Sequence, residues 1–420
     1  MTTMANTNAS RQIRESLLKL DDWSTQAQWK GYDTFDGLSS PLAPIFSFGN
    51  PFMKRVWQQG VRRFPMNIRP LLGIKPSNSS KGMGFFAQGY LHLYQTTGDK
   101  KYLAKMHSCL EWLIKNRCPQ FKGYAWGNHF DYESRSGRIA PGTPTVVWTS
   151  LIGHAFLDAY DALQEERYLE VARGIAEFTS NELGHIATSH GDICISYTPT
   201  PEGKPIQGEY GIHNSNILGA GFLARLNSHS PKPIYLELAE KGVKFTIRDQ
   251  MPNGAWNYGN HPKWAWVDSF HTGYNLEALD HYIRWKNDKT FLPELKKGYT
   301  FFVETFFEAD GTPRYYDYKT RPLDIQCASQ AIETLVNLRD LHPRSIETAI
   351  SVAQWTINNM QDRTGYFYYR KYPVLTNKTP TLHWGQATMF AALALLDEYL
   401  NEKVPGTASQ PTKSSELASA

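Results

Sequence analysis

The chain has 420 residues, 44 of them Lys or Arg and 40 Asp or Glu, and its formal charge of +4 is too small and too evenly spread to argue for a nucleic-acid partner. With 41% hydrophobic and 13% aromatic residues it is neither disordered nor fibrous. No apolar run approaches the roughly 18 residues of a membrane span, and the opening MTTMANTNASRQIRESLLKL lacks the apolar stretch of a secretory leader, so the cytoplasm is the expected compartment.

From residue 84 onward one pattern repeats: an amphipathic helix, a short turn, a second amphipathic helix, and a long loop rich in aromatics. The predicted pairs are 84–97 with 102–117, 145–163 with 168–183, 213–227 with 235–250, 269–285 with 291–308, and 325–340 with 346–360; a last helix runs from about 382 to 400. The second helices open on Tyr102, Tyr168, Tyr235 and Phe291, each followed by Leu, at spacings of 66, 67 and 56. The first helices open on Trp148, His213, Phe270, Gln326 and His383, at spacings of 65, 57, 56 and 57. One helical hairpin plus a loop has that length. A twelfth helix comes from 11–20 or from 51–63. Six hairpins closing in a ring form an all-α (α/α)6 toroid. An open solenoid is the alternative, but first helices as apolar as ILGAGFLARL and MFAALALL favour closure. The expected division is an N-terminal extension packing on the toroid over 1–79, the toroid over 80–403, and a disordered Pro/Ser/Thr/Ala-rich tail over 404–420.

In such a toroid the long loops share one face, at the N-termini of the inner helices, and here they hold the unusual residues. Trp and Tyr interleaved with carboxylates, His and Arg suit a saccharide, whose rings have apolar faces and polar edges. The candidate substrate-binding residues are Trp126, His129, Asp131, Glu209, His213, Trp264, Trp266, Tyr274, Tyr316, Arg370, Trp384 and Gln386. The candidate catalytic residues are Asp268, His271, Asp324 and His383. Asp268 and Asp324 each stand two residues before an inner-helix anchor, where Asp commonly caps a helix but can also do acid–base work on a sugar. Asp268 lies among tryptophans, which can raise a carboxyl pKa, and His271 follows one turn further in as a partner base.

No metal is expected. The pairs His129/Asp131 and His190/Asp192 lack HExxH spacing, and the four cysteines (Cys109, Cys118, Cys194, Cys327) lack CxxC spacing and read as reduced structural thiols. No cofactor is expected either, because no dinucleotide fingerprint, phosphate loop or nucleophile elbow occurs.

Three segments carry a resemblance: KGMGFFAQGYLHLYQTTGDKKYL (81–103), WVDSFHTGYNLEAL (266–279) and LHWGQA (382–387). Over roughly residues 80–400 the chain resembles the six-hairpin glycosidase superfamily, and more closely the VpsJ-type polysaccharide biosynthesis proteins. The resemblance implies a toroid that acts on an oligosaccharide or sugar-linked precursor in exopolysaccharide synthesis, alongside other polysaccharide-assembly proteins. The reaction would be of hydrolase, lyase or epimerase type. It carries over no catalytic residue. The competing expectation is a non-catalytic saccharide-binding or scaffolding component. A terpene-cyclase-like toroid would need a DxDD or DDxxD motif, and a lanthionine cyclase a Cys/Cys/His zinc site with its flanking motifs.

Overall fold

Alternating short and long connections produce the architecture in the computed structural model, which describes residues 2–134, 137–199 and 210–402. Glu209 and the expected tail from 404 lie outside the described residues. The helices are α1 (Thr2–Gln26), α2 (Ala43–Ser47), α3 (Pro51–Arg63), α4 (Ser80–Thr97), α5 (Lys100–Lys115), α6 (Val146–Leu163), α7 (Glu166–Glu177), α8 (His213–His229), α9 (Pro233–Arg248), α10 (Ser269–Lys286), α11 (Leu292–Thr305), α12 (Ile325–Asn337), α13 (Ser345–Met360) and α14 (Thr388–Glu402).

Helices α4, α6, α8, α10, α12 and α14 each pack on the next, and α14 returns to α4, so the inner ring closes. Each inner helix carries an outer one: α5 on α4, α7 on α6, α9 on α8, α11 on α10, α13 on α12, and α1 on α14. The fold is an (α/α)6 toroid. Of the two candidates for the twelfth helix, the N-terminal one takes the place. An ion pair of 2.9 Å from Arg14 to the fully buried Asp397 fixes α1 on α14, and burial pushes the Asp397 carboxyl up to about 6 against the pull of Arg14.

Inner helices are enclosed on all sides, which explains their sequences. In α8 every residue from His213 to Leu226 is buried, so no single apolar stripe is visible. At Gly221 a Cβ would sit 2.6 Å from the Ala278 carbonyl oxygen, so glycine lets α8 and α10 approach closely. The left-handed Gly98 (φ 68°) and Asn287 (φ 54°) end α4 and α10 and start the tight turns to their outer partners.

The strands described here lie in the loops between hairpins: β1 (Tyr132–Ser134) with β2 (Gly137–Ile139), β3 (His185–Ala187) with β4 (Ile193–Ile195), and β5 (Leu323–Asp324), β6 (Arg370–Lys371) and β7 (Thr376–Asn377) in one small sheet. The pairing of Asp324 with Arg370 ties the loop before α12 to the loop before α14.

Candidate active site

The open face is built from the first turns of the inner helices. Asp268 is the N-cap of α10, its Oδ1 accepting from the His271 backbone N–H at 3.0 Å. Its Oδ2 accepts from Trp266 Nε1 at 3.0 Å and lies 2.7 Å from His271 Nδ1. A carboxylate only accepts, so the proton sits on Nδ1 and leaves Nε2 of His271 as the ring's acceptor. The imidazole packs between Phe270 (4.0 Å between centroids) and Tyr258 (4.5 Å), and Tyr258 stacks on Trp266 at 4.7 Å. Asp268 itself is 3% exposed, with both oxygens engaged, whereas the His271 side chain is 20% exposed. The geometry therefore makes Asp268 the holder and leaves the His271 ring the more exposed of the two.

Asp324 repeats the cap one hairpin later, accepting from Gln326 N at 3.0 Å, while its Oδ2 is held by Arg370 Nε. The Arg370 guanidinium lies 5.2 Å from the Tyr315 ring centroid and 5.0 Å from that of Tyr369. Asp268 and Asp324 both raise the Tyr315 hydroxyl, behind the larger effect of burial, so the two caps face the same end of the toroid. Tyr316 bridges to Asp268 through the backbone and stacks towards Tyr318. Trp264 sits on the outer rim beside His261.

A second group of residues sits at the start of α4. Lys81, 5% exposed, pairs with the equally buried Asp33 at 3.2 Å. His383 Nδ1 lies 3.7 Å from the same Asp33 oxygen, and neither ring nitrogen makes a hydrogen bond within the chain. Burial opposes the charge of Asp33, but Lys81 and His383 outweigh it and hold the carboxyl below the usual range. Burial, then the charge of Lys81, holds the His383 imidazole neutral. His383 lies tilted against Trp384 at 3.6 Å between centroids and packs against Trp148 at 6.0 Å, and Lys81 Nζ lies 4.3 Å over Trp148. Together with Phe85, Gln88 and Ile152 these side chains line a narrow cleft. His129 stands at its edge, on Ser77 Oγ at 2.7 Å, and feels the charges of Asp33 and Lys81.

The two groups are continuous. Tyr197 packs on Trp148 at 6.2 Å and feels Tyr258 and Tyr274. Along this wall Trp148 Nε1 is buried without a hydrogen bond within the chain, while Tyr274 and Gln326 face each other and Ser269 faces the Cys327 thiol. Deeper in the ring, Glu277 is held by Gln330 and Asn337, and burial raises both Glu277 and Glu333. His154 and His281 face each other at 3.2 Å and are kept neutral, first by burial.

Four expected binding residues have other work. Trp126 is fully buried, with Nε1 donating to the Leu113 carbonyl and its ring on Phe156, so it offers no face to a sugar. His213 turns outward against Phe245 of α9, with Nε2 3.5 Å from Asp249. Gln386 clamps the loop before α14 by donating to the Phe367 and Thr381 carbonyls and accepting from Phe367 N. Asp131 pairs with Arg138 at 2.8 Å across the β1–β2 loop. Sequence reasoning missed Asp33 and Lys81; a lysine opening the apolar helix KGMGFF, against the helix dipole, is the signal that marked the second of them. Among the described residues no group of three or more His, Cys, Asp or Glu is arranged to hold a metal, and no helix is long and apolar enough to cross a membrane.

The chain matches no protein-family model and no curated protein. Its fold is similar to solved structures. Cellobiose 2-epimerase from Bacillus thermoamylovorans B4167 superposes with a TM-score of 0.60 at 11% identity, over 77% of this chain and 88% of that one. An unsaturated glucuronyl hydrolase specific for heparin gives 0.58 at 12%, over 93% and 96%. The GH76 α-mannanase BT2949 of Bacteroides thetaiotaomicron gives 0.55 at 15%, over 76% and 86%. Identities this low establish the shared toroid; chemistry must be argued from the site.

Proposed function

We propose that the chain is a carbohydrate-active enzyme of epimerase or isomerase type, in which His271 and His383 move protons at a sugar carbon. One observation carries this reading: Asp268 spends both oxygens on capping α10 and holding His271, so the proton-transfer group presented at this rim is an imidazole. Asp268 holds the ring by Nδ1 and so aims Nε2 of His271 at the rim, the position from which a protonated imidazole would act as the acid. His383, neutral beside Lys81, suits a base once the narrow cleft, which leaves its side chain only 1% exposed in this structure, opens to admit the sugar. His383 takes the proton from the carbon next to the carbonyl of an open-chain sugar. The C–H electron pair becomes the carbon–carbon double bond of an enediolate, and its oxygen charge is met by the Lys81 ammonium. His271 then delivers a proton to that carbon, and solvent resets the two rings. Trp148, Trp384 and Tyr258 supply faces for the sugar.

The fold shared with sugar epimerases and glycoside hydrolases supports a saccharide substrate. The sequence likeness to VpsJ-type proteins supports a substrate drawn from exopolysaccharide assembly in the cytoplasm. A second reading, hydrolysis or elimination, finds support in Asp317, a rim carboxyl raised by burial and, to a lesser degree, by the charge of Asp268, against backbone hydrogen bonds that pull it down. Incubation with a panel of reducing mono- and disaccharides, followed by chromatography, separates the readings. Epimerisation changes the sugar and keeps its length; hydrolysis shortens it, elimination leaves an unsaturated end, and a binding protein leaves it unchanged. His271→Asn and His383→Asn should each lower kcat by about 10²- to 10⁴-fold. Full turnover by both variants would sink the assignment.

A further inference from the structure

Residues 41–75, within the segment joining α1 to α4, form a plate on the open face that the catalytic reading does not use. It is fastened to the rim: Arg62 Nε donates to Tyr369 OH at 3.0 Å, Gln58 Oε1 accepts from Glu133 N at 3.1 Å, and Asn377 Nδ2 donates to the Phe64 carbonyl at 2.7 Å. Its outer surface is apolar. Among the described residues, nine of the fifteen exposed large hydrophobic side chains fall between Ile45 and Leu71, which concentrates them on this segment. Phe52 and Val56 lie one turn apart on α3 and face outward, while Gln58 faces Glu133 of the rim and Val61 packs on Tyr32 and Ile74, so the helix turns an apolar stripe to solvent. Phe48, 86% exposed, ends α2 in the left-handed region (φ 49°), a conformation that bulky residues rarely adopt, and it holds the ring at the tip of the plate.

Charge selects the occupant. Residues 41–75 contain six Lys or Arg and no Asp or Glu; Arg69 is buried on Asp36, Arg62 is taken by Tyr369 and Arg55 by the Ser134 carbonyl, which leaves Arg63 and Lys75 exposed and Lys54 half-buried to meet a partner. A two-fold dimer would set this basic patch against itself, like charge on like. An anionic surface meets both features at once, taking the apolar rings into its outer layer and the basic groups among its headgroups. We infer that the plate docks the toroid on a lipid bilayer bearing anionic phospholipid, with the mouth of the ring beside the membrane. The inference stands on this surface alone, and vesicle binding and sugar turnover can fail separately.

Co-sedimentation of the full chain with vesicles of phosphatidylcholine, alone or mixed with phosphatidylglycerol, tests it. Partitioning should be at least about tenfold stronger with phosphatidylglycerol and should weaken with salt. The Phe48→Asp/Phe52→Asp variant should lose at least about tenfold in binding while melting at the wild-type temperature, because both side chains are exposed. No sedimentation with either vesicle, or undiminished binding by that variant, would overturn the inference. So would a dimer, seen by size exclusion, that the same variant abolishes without any vesicle binding.

Discussion

Asp268 grips His271 at two points, its Oδ1 on the backbone N–H at 3.0 Å and its Oδ2 on the ring nitrogen at 2.7 Å. The first contact begins a helix; the second fixes a tautomer. Asp268→Asn separates them, since an amide oxygen still caps while the atom facing His271 Nδ1 becomes an NH2 donor and no longer accepts from the ring. The variant should melt close to wild type and lose about 10²-fold or more in kcat. Calorimetry and a turnover assay check both halves, and unchanged kcat would reduce Asp268 to a cap.

Lys81 and Asp33 are both buried, so neither tolerates the loss of the other. Lys81→Met should cost about 3–5 kcal/mol in urea unfolding, because it strands the Asp33 carboxylate. Adding Asp33→Asn should recover part of that loss. If the single variant unfolds at the wild-type urea concentration, the pair carries no such coupling.

His213 gives a pH dependence. Burial, followed by the charge of Arg248, brings its pKa down to about 3, against about 6.5 in an unfolded chain. Between those values the unfolded state binds a proton that the folded state does not, so stability falls as pH drops below 6.5. At pH 5 this residue accounts for about 2 kcal/mol of loss. His213→Asn should lose about 2 kcal/mol less than wild type between pH 7 and pH 5, read from urea midpoints at the two pH values. Equal losses would show that His213 is protonated in the folded state.

Two tryptophans separate binding from packing. Trp384, in the turn Leu382–Ala387 against His383, should on replacement by Ala raise KM about tenfold with a small change in melting. Trp126→Ala should cost about 3–5 kcal/mol and leave KM as it was wherever the protein is folded. The opposite pattern would exchange their roles.

The hairpin count and ring closure were legible in the sequence because Phe270, Gln326 and His383 recur at the length of one hairpin and its loop. That spacing places residues at the same level of the ring without setting which way they point. Each residue turns a helix by about 100°, so His213, aligned with His383 along the chain, faces α9 while His383 faces the cleft. Trp126 and Gln386 show the same limit: composition marks a loop as aromatic or polar, but the side chains that fold the loop back are of the same types as those that meet a ligand. The Lys81–Asp33 pair was illegible for another reason, since its members lie on either side of the basic plate and no period relates them.

Solvent isotope exchange tests the two-histidine account most directly. Incubated in deuterated water with a sugar it converts, the enzyme should place deuterium on the carbon next to the carbonyl, seen by NMR, and His383→Asn should abolish that exchange. Conversion with no deuterium at that carbon, or shortened saccharides as the product, would contradict it.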